Sequence, residues 1–235
     1  MTAVVDMGNT TIAYAVFDGR TLLRKDRMPT YGEWRFSLEG VDLAVVSSVV
    51  PDLNGKLLSA LEDHSPLLLT RELLSGLDIG VYDVSNLGMD RLVDLIAAKS
   101  LSKAPLAVFD AGTCLTVSVL GRDGRFLGGM IAPGPQTSLK ALNKWTNTLP
   151  LIEAEECGKL IGESTRECLL SGVIAGTAAM LDGFALRIRE ELGEETAFIL
   201  TGGMAPLVLP WCKETFRHEP MLLLQGLLEI SFTLR

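Results

Sequence analysis

The sequence predicts an α/β protein built from two related halves, and three observations carry that expectation. First, the stretch Leu106-Ala107-Val108-Phe109-Asp110-Ala111-Gly112-Thr113 reads almost the same way as Ala3-Val4-Val5-Asp6-Met7-Gly8-Asn9-Thr10: an apolar strand, an aspartate, a glycine two residues on, then threonine, with Asn9 intervening in the first copy. Second, each copy runs into another strand-like segment, Ile12 to Phe17 and Leu115 to Leu120. Third, strand-like and helix-like patterns alternate between the copies, as parallel pairing requires. A self-similar unit at a spacing of 104 residues is the signature of a duplicated domain. The expected division is 1–105 and 106–235.

Each repeated unit suits phosphate. A buried strand carries a carboxylate to its C-terminal end, where it can hold a cation. The glycine turns the backbone tightly and leaves no Cβ between chain and ligand. Backbone N–H groups and the threonine hydroxyl can then donate to phosphate oxygens. A single Asp-x-Gly is commonly only a β-turn; two copies, each after an apolar strand, point to a nucleotide site between two lobes.

In chain order, Asp18-Gly19 signals a hairpin leading to Thr21–Lys25. Leu43 to Val50 is β-branched and apolar, so it reads as a buried strand, and Pro51 suits the first turn of a helix with Leu53, Leu57, Leu58 and Leu61 on one face. Leu67–Leu69 is a short strand, and Arg71 to Tyr82 reads as loop with a little strand. Gly88-Met89-Asp90-Arg91 opens a helix to about Leu101; an acid in its first turn complements the helix dipole, and Arg91 has the bland alternative of a surface ion pair. After the second repeat, Gly121–Gly124 is a turn, and the glycine pair in Phe126–Gly134 suggests a bulge or a close backbone approach. Pro135 begins a further helix. Ser164-Thr165-Arg166-Glu167 has capping-box spacing and starts a helix to about Leu192, slim in its first half through Gly172, Ala175, Gly176, Ala178 and Ala179. Ala197–Leu200 is a strand entering Thr201-Gly202-Gly203, which either admits an adenosine or forms a tight connection. Met221 to about Ile230 is a terminal helix.

Composition narrows the function. With 48% apolar residues, the 235-residue chain can bury a sizeable core. A formal charge of −8 disfavours nucleic acid, whose phosphates need a basic surface. Five residues before Asp6 leave no room for a signal peptide, and no apolar run is long enough to span a bilayer; charges at Asp182, Arg187, Arg189, Glu190 and Glu191 exclude the long helix. No membrane partner and a cytoplasmic location are expected. The four cysteines lack C-x-x-C spacing, as in a reduced protein, and Cys114 reads as a small buried residue. Only His64 and His218 are available for a histidine metal site. The P-loop pattern Gly-x-x-x-x-Gly-Lys-Ser/Thr is absent.

The strand-and-turn repeat resembles the actin, Hsp70 and sugar-kinase superfamily, which implies two ribonuclease H-like lobes around a nucleotide cleft. More narrowly, Asp6–Thr10, Gly88–Arg91, Asp110–Thr113, Gly128–Gly134, Ser164-Thr165 and Thr201–Gly203, in that order and spanning nearly the whole chain, resemble the type III pantothenate kinases. That resemblance implies an ATP-dependent phosphorylation of pantothenate opening coenzyme A synthesis. Asp6, Met7, Gly8, Asn9, Thr10, Thr11, Ile12 and Ala13 would bind the ATP phosphates, with Asp6 near Mg2+, and Thr113 would contact the nucleotide. Asp110 would hold a monovalent cation, K+ or NH4+. Gly88, Met89, Asp90 and Arg91 would hold pantothenate, with Asp90 as the proton acceptor, joined by Thr165 and by Tyr82, which stands one residue closer to Gly88 than the family pattern has it. A homodimer is implied. The chain departs from the family at Met204, Ser118 and Met89, where an acid, an aspartate and a smaller residue are usual. Two other readings remain: a sugar or acetate kinase of the same superfamily, and a non-catalytic nucleotide-binding regulator. Retention of Asp6, Asp90, Arg91 and Asp110 speaks against the second.

Overall fold

The computed structural model describes residues 1–75 and 87–234. They form two compact units, Met1–Leu101 with Met221–Arg235, and Ser102–Pro220.

The first unit is a five-stranded sheet, ordered β3-β2-β1-β4-β5. Its strands are β1 (Thr2–Met7), β2 (Thr11–Asp18), β3 (Thr21–Pro29), β4 (Leu43–Ser48) and β5 (Pro66–Leu68). The hairpin partners β2 and β3 run antiparallel, while β1, β4 and β5 are mutually parallel. Val5, Met7, Ile12, Tyr14, Ala44 and Val46 fill one face with Leu57 and Leu61, at and just beyond α1 (Asn54–Ala60). Pro51 opens a 3-10 turn ahead of α1, consistent with its fixed φ and missing N–H. Arg71–Ser75 is a short helix, α2, where loop and strand were expected; Thr70 caps it by accepting from the Leu73 N–H at 3.4 Å, local chemistry that a search for apolar periodicity passes over. α3 (Met89–Leu101) follows, with Leu92, Val93 and Leu95 buried.

The second unit repeats the plan strand for strand: β10-β9-β6-β7-β8, from β6 (Leu106–Ala111), β7 (Cys114–Leu120), β8 (Phe126–Pro133), β9 (Ala197–Thr201) and β10 (Arg217–His218). Again the first two hairpin pairings are antiparallel and the rest parallel. The duplication is therefore one of topology as well as sequence. Both hairpins also slip register at the matching place, between Val16 and Phe17 and between Val119 and Leu120. In the second, Gly128 (φ +124°) sits at the slip, so the glycine pair serves a bulge. The helices are α4 (Pro135–Trp145), α5 (Thr165–Leu170), α6 (Gly176–Leu192) and α7 (Ala205–Val208), with a π turn at Ser171–Ala175 joining α5 to α6. The expected capping box is present: Ser164 Oγ accepts from the Glu167 N–H at 3.3 Å, and Glu167 Oε2 accepts from the Ser164 N–H at 3.0 Å.

By length and composition, Thr165–Leu192 could cross a membrane, contrary to the reading that no run was long enough. Leu170, Ile174, Ala178, Leu181, Ala185 and Ile188 are buried within the unit, so it is a core helix. Cys114 is also a correction. It is exposed, because it begins β7 just beyond the turn rather than lying within the strand's buried run.

The terminal helix α8 (Leu222–Thr233) packs on α3, β1 and β4. The division at 105/106 placed this segment with the second lobe; the structure returns it to the first. Sequence order concealed this, because the packing partners of its buried Leu224, Leu227 and Ile230 lie more than a hundred residues away. The Arg20–Glu229 ion pair and Arg20 stacked on the Phe232 ring, 5.0 Å from its centroid, fasten the helix to the first hairpin. A Cβ on Gly226 would come within 2.5 Å of the Val93 carbonyl oxygen. Gly226→Ala is accordingly expected to destabilise by about 1–3 kcal/mol through overpacking, read as a lowered Tm. An unchanged Tm would show that α3 and α8 do not approach this closely.

Candidate active site

The first unit places Asp6 at the end of β1, half-buried, with the turn Gly8–Thr11 beyond it. The turn is closed by the Gly8 N–H donating to the Thr11 carbonyl at 3.0 Å. It is held from outside as well: Thr30 Oγ1 donates to the Gly8 carbonyl at 2.6 Å, the Thr30 N–H to Thr10 O at 3.0 Å, and the Val49 N–H to Met7 O at 3.0 Å. Asn9 and Thr10 remain exposed at the tip, where a phosphate could meet them.

The second unit builds its copy with two matching backbone supports and a threonine hydroxyl that reaches a different carbonyl of the turn. Met204 N–H donates to Ala111 O at 2.8 Å, as Val49 does to Met7 O. Thr137 Oγ1 donates to Thr113 O at 2.6 Å, and the Gly134 N–H to the same oxygen at 3.1 Å. One difference is a residue of length. Met7 pairs with Ile12 across the first turn, whereas Ala111 pairs with Leu115 across the second. Glycines press close to this tighter turn. A Cβ on Gly134 would come within 2.8 Å of Thr113 O and collide with Gly112 O; one on Gly202 would come within 2.5 Å of Ala111 O and collide with the Asp110 carboxylate. The tight connection, one of two roles expected for Thr201–Gly203, is thus present at Gly202.

Gly88–Arg91 opens α3 in the first unit. The Asp90 carboxylate folds back over Gly88, where a Cβ would strike its Oδ1, and that oxygen accepts the Arg91 N–H at 2.8 Å. Arg71 reaches the same corner, donating to Leu87 O at 2.8 Å. Burial lowers the pKa of the Arg91 guanidinium from its ordinary value, while the adjacent Asp90 opposes the shift; a guanidinium starts so high that it stays charged. A half-buried guanidinium is suited to gripping the carboxylate of an acidic substrate. Thr165 is the exposed first residue of α5, in the second unit. Tyr82 lies outside the described residues.

Sequence reasoning missed Thr30 and Thr137, which hold the turns from 22 and 24 residues away. Nothing local marks them. Gly134 had a signal, since a glycine between prolines in Pro133-Gly134-Pro135 must satisfy both a strand end and a helix start. Among the described residues no group of three or more His, Cys, Asp or Glu could hold a metal ion. A groove of about 350 Å3 between β8 and α6, lined by Leu127, Met130, Phe184 and Ile188, contains none of the expected site residues.

Two topologically identical α/β units, each with a carboxylate-tipped turn, define a protein of the actin, Hsp70 and sugar-kinase fold class. A solved structure with this architecture, the activator of the 2-hydroxyisocaproyl-CoA dehydratase from Clostridium difficile with bound ADPNP, superposes with a TM-score of 0.50 at 11% identity, covering 99% of this chain and 93% of that one. The family model for type III pantothenate kinase matches residues 3–187. Curated type III pantothenate kinases from Paramagnetospirillum magneticum and Thermomicrobium roseum are 34% and 35% identical, over 98% and 97% of this chain and 96% and 95% of theirs. The chain belongs to the type III pantothenate kinase family, enzymes that phosphorylate pantothenate in coenzyme A synthesis.

Proposed function

We propose that the chain transfers the γ-phosphoryl group of ATP to the hydroxyl of pantothenate, giving 4'-phosphopantothenate, with Asp90 as the base. Phosphoryl transfer asks a protein for charge neutralisation, in-line positioning and a group that orients the nucleophile. The observation that carries the assignment is the difference between the carboxylates. Asp6 and Asp110 each end a strand beside a phosphate-type turn, whereas Asp90 heads a helix next to the half-buried Arg91. Gly88 to Arg91 and Thr165 take the substrate, Arg91 pairing with its carboxylate; Tyr82 joins them. Met7 to Ala13 and Thr113 take the nucleotide.

Magnesium fits Asp6. The ion reaches kinases on the triphosphate and asks the protein for only one or two carboxylates, so the absence of a larger acidic cluster among the described residues is no obstacle. When bound it neutralises charge building on the transferred group. A monovalent cation fits Asp110, whose carboxylate and the Ala111 carbonyl both border Gly202, an all-oxygen donor set. The enzyme acts in the cytoplasm as a homodimer. The outer stripe of the π turn and α6 supports the dimer: Gly172, Gly176 and Ala179 are exposed, and a Cβ on Gly172 or Gly176 would meet nothing in this chain. Close helix packing by a second copy would use that space.

A coupled ADP-release assay tests the reading. ADP formation is expected to require pantothenate, with glucose and acetate inactive as acceptors, and to be faster in potassium than in sodium. Release that ignores pantothenate, or follows glucose or acetate, would contradict it.

A further inference from the structure

Ser47, near the end of β4, pairs in parallel register with Asp6 of β1. Register partners point their side chains to the same face of a sheet. The flanking residues agree: Val5, Met7, Ala44 and Val46 fill the opposite face, leaving Asp6 and Ser47 together on the side covered by α3 and α8. Ser47 has no solvent exposure, and its Oγ makes no hydrogen bond within the described residues. A buried hydroxyl without a partner is costly, and native structures that keep one commonly reserve it for a ligand, a water or a functional group. The second unit repeats the placement. Asp110 pairs with Thr201 of β9, also buried. The strands that supply these hydroxyls, Leu43–Ser48 and Ala197–Thr201, otherwise show no shared polar residue, so the hydroxyl beside the carboxylate is what the duplication has in common here.

We infer that Ser47 is a positioning residue for the nucleotide-bound metal: when the metal binds, the unpartnered Ser47 hydroxyl turns to donate to the Asp6 carboxylate and fixes the orientation in which that carboxylate meets Mg2+. A serine hydroxyl rotates freely to aim its proton, and an ionised carboxylate accepts at several lone pairs, so it serves metal and serine together. Outer partners of this kind typically alter metal affinity or activity about ten- to a hundredfold. The inference rests on the assignment of Asp6 to Mg2+ given above.

The test uses the full chain with Ser47→Ala and Ser47→Thr, the latter carrying the residue type found at the matching place in the second unit. ATP binding is measured by calorimetry across a Mg2+ titration, alongside Tm and steady-state kinetics. In Ser47→Ala, the Mg2+ needed for half-maximal ATP binding is expected to rise about ten- to a hundredfold and kcat to fall, while KM for pantothenate holds. Its Tm should stay level or rise, because an unsatisfied buried group has gone. Ser47→Thr should keep the Mg2+ dependence near that of the unsubstituted protein. A Ser47→Ala variant with unaltered Mg2+ dependence overturns the inference, whether or not its Tm has dropped. If the unsubstituted protein binds ATP with no Mg2+ dependence, or Asp6→Asn leaves that dependence intact, the Asp6 assignment fails and Ser47's role falls with it.

Discussion

Asp90→Asn is expected to lower kcat about a hundred- to ten-thousandfold, with Tm and the KM for pantothenate nearly unchanged. The substitution is close to isosteric. An asparagine Oδ1 can still accept the Arg91 N–H that Asp90 accepts at 2.8 Å, and Gly88 leaves the same room for it. What asparagine cannot do is take the proton of an attacking alcohol. The contrast between intact binding and lost turnover therefore isolates the proton transfer. Turnover near that of the unsubstituted enzyme would remove Asp90 from the chemistry. A fall in kcat with a matching loss of Tm would move it to a structural role at the start of α3.

The second large effect is expected at Gly202. Its φ of +96° disfavours any side chain, and a Cβ would come within 2.5 Å of Ala111 O and against the Asp110 carboxylate. Left-handed backbone costs an ordinary residue about 1–2 kcal/mol, and overpacking adds about 1–3 kcal/mol. Gly202→Ala should therefore lose about 2–5 kcal/mol, and the potassium stimulation proposed above should go with it, because relief of the clash displaces Asp110 or its turn. Gly19 gives the control. It too has positive φ, +55°, but a Cβ there meets nothing. Gly19→Ala should cost about 1 kcal/mol and leave activity and cation response alone. Denaturant unfolding and potassium titration read both variants; equal behaviour would mean that Gly202 does not constrain Asp110.

The strands, the repeat and the long helices were legible because each rests on local chemistry. Apolar runs ended in Asp-x-Gly, and Ser164 with Glu167 announced the helix start that the structure contains. Boundaries drifted at strand ends, as at β4, which stops at Ser48 although Val49 still donates its N–H to Met7 O. Three features were hidden for another reason: each depends on residues far apart in sequence. Thr30 and Thr137 support turns built elsewhere, α8 completes a unit begun at the other end of the chain, and β10, only two residues long, exists through its pairing with β9. The π turn at Ser171–Ala175 lay inside a run read correctly as helix, and its sequence of small residues gave no sign of it. The two turns stood out through their repeat, whereas Gly88–Arg91 gained a site role only through the family resemblance; the hydroxyl beside each carboxylate emerged only with the strand register.

The most direct test of the central claim is phosphorus NMR of the product formed from ATP and pantothenate by the purified chain. Equal amounts of ADP and a phosphomonoester on pantothenate are predicted, with neither formed by Asp90→Asn at a comparable rate. Inorganic phosphate appearing in place of the ester, or no consumption of ATP when pantothenate, Mg2+ and potassium are all present, would contradict the account.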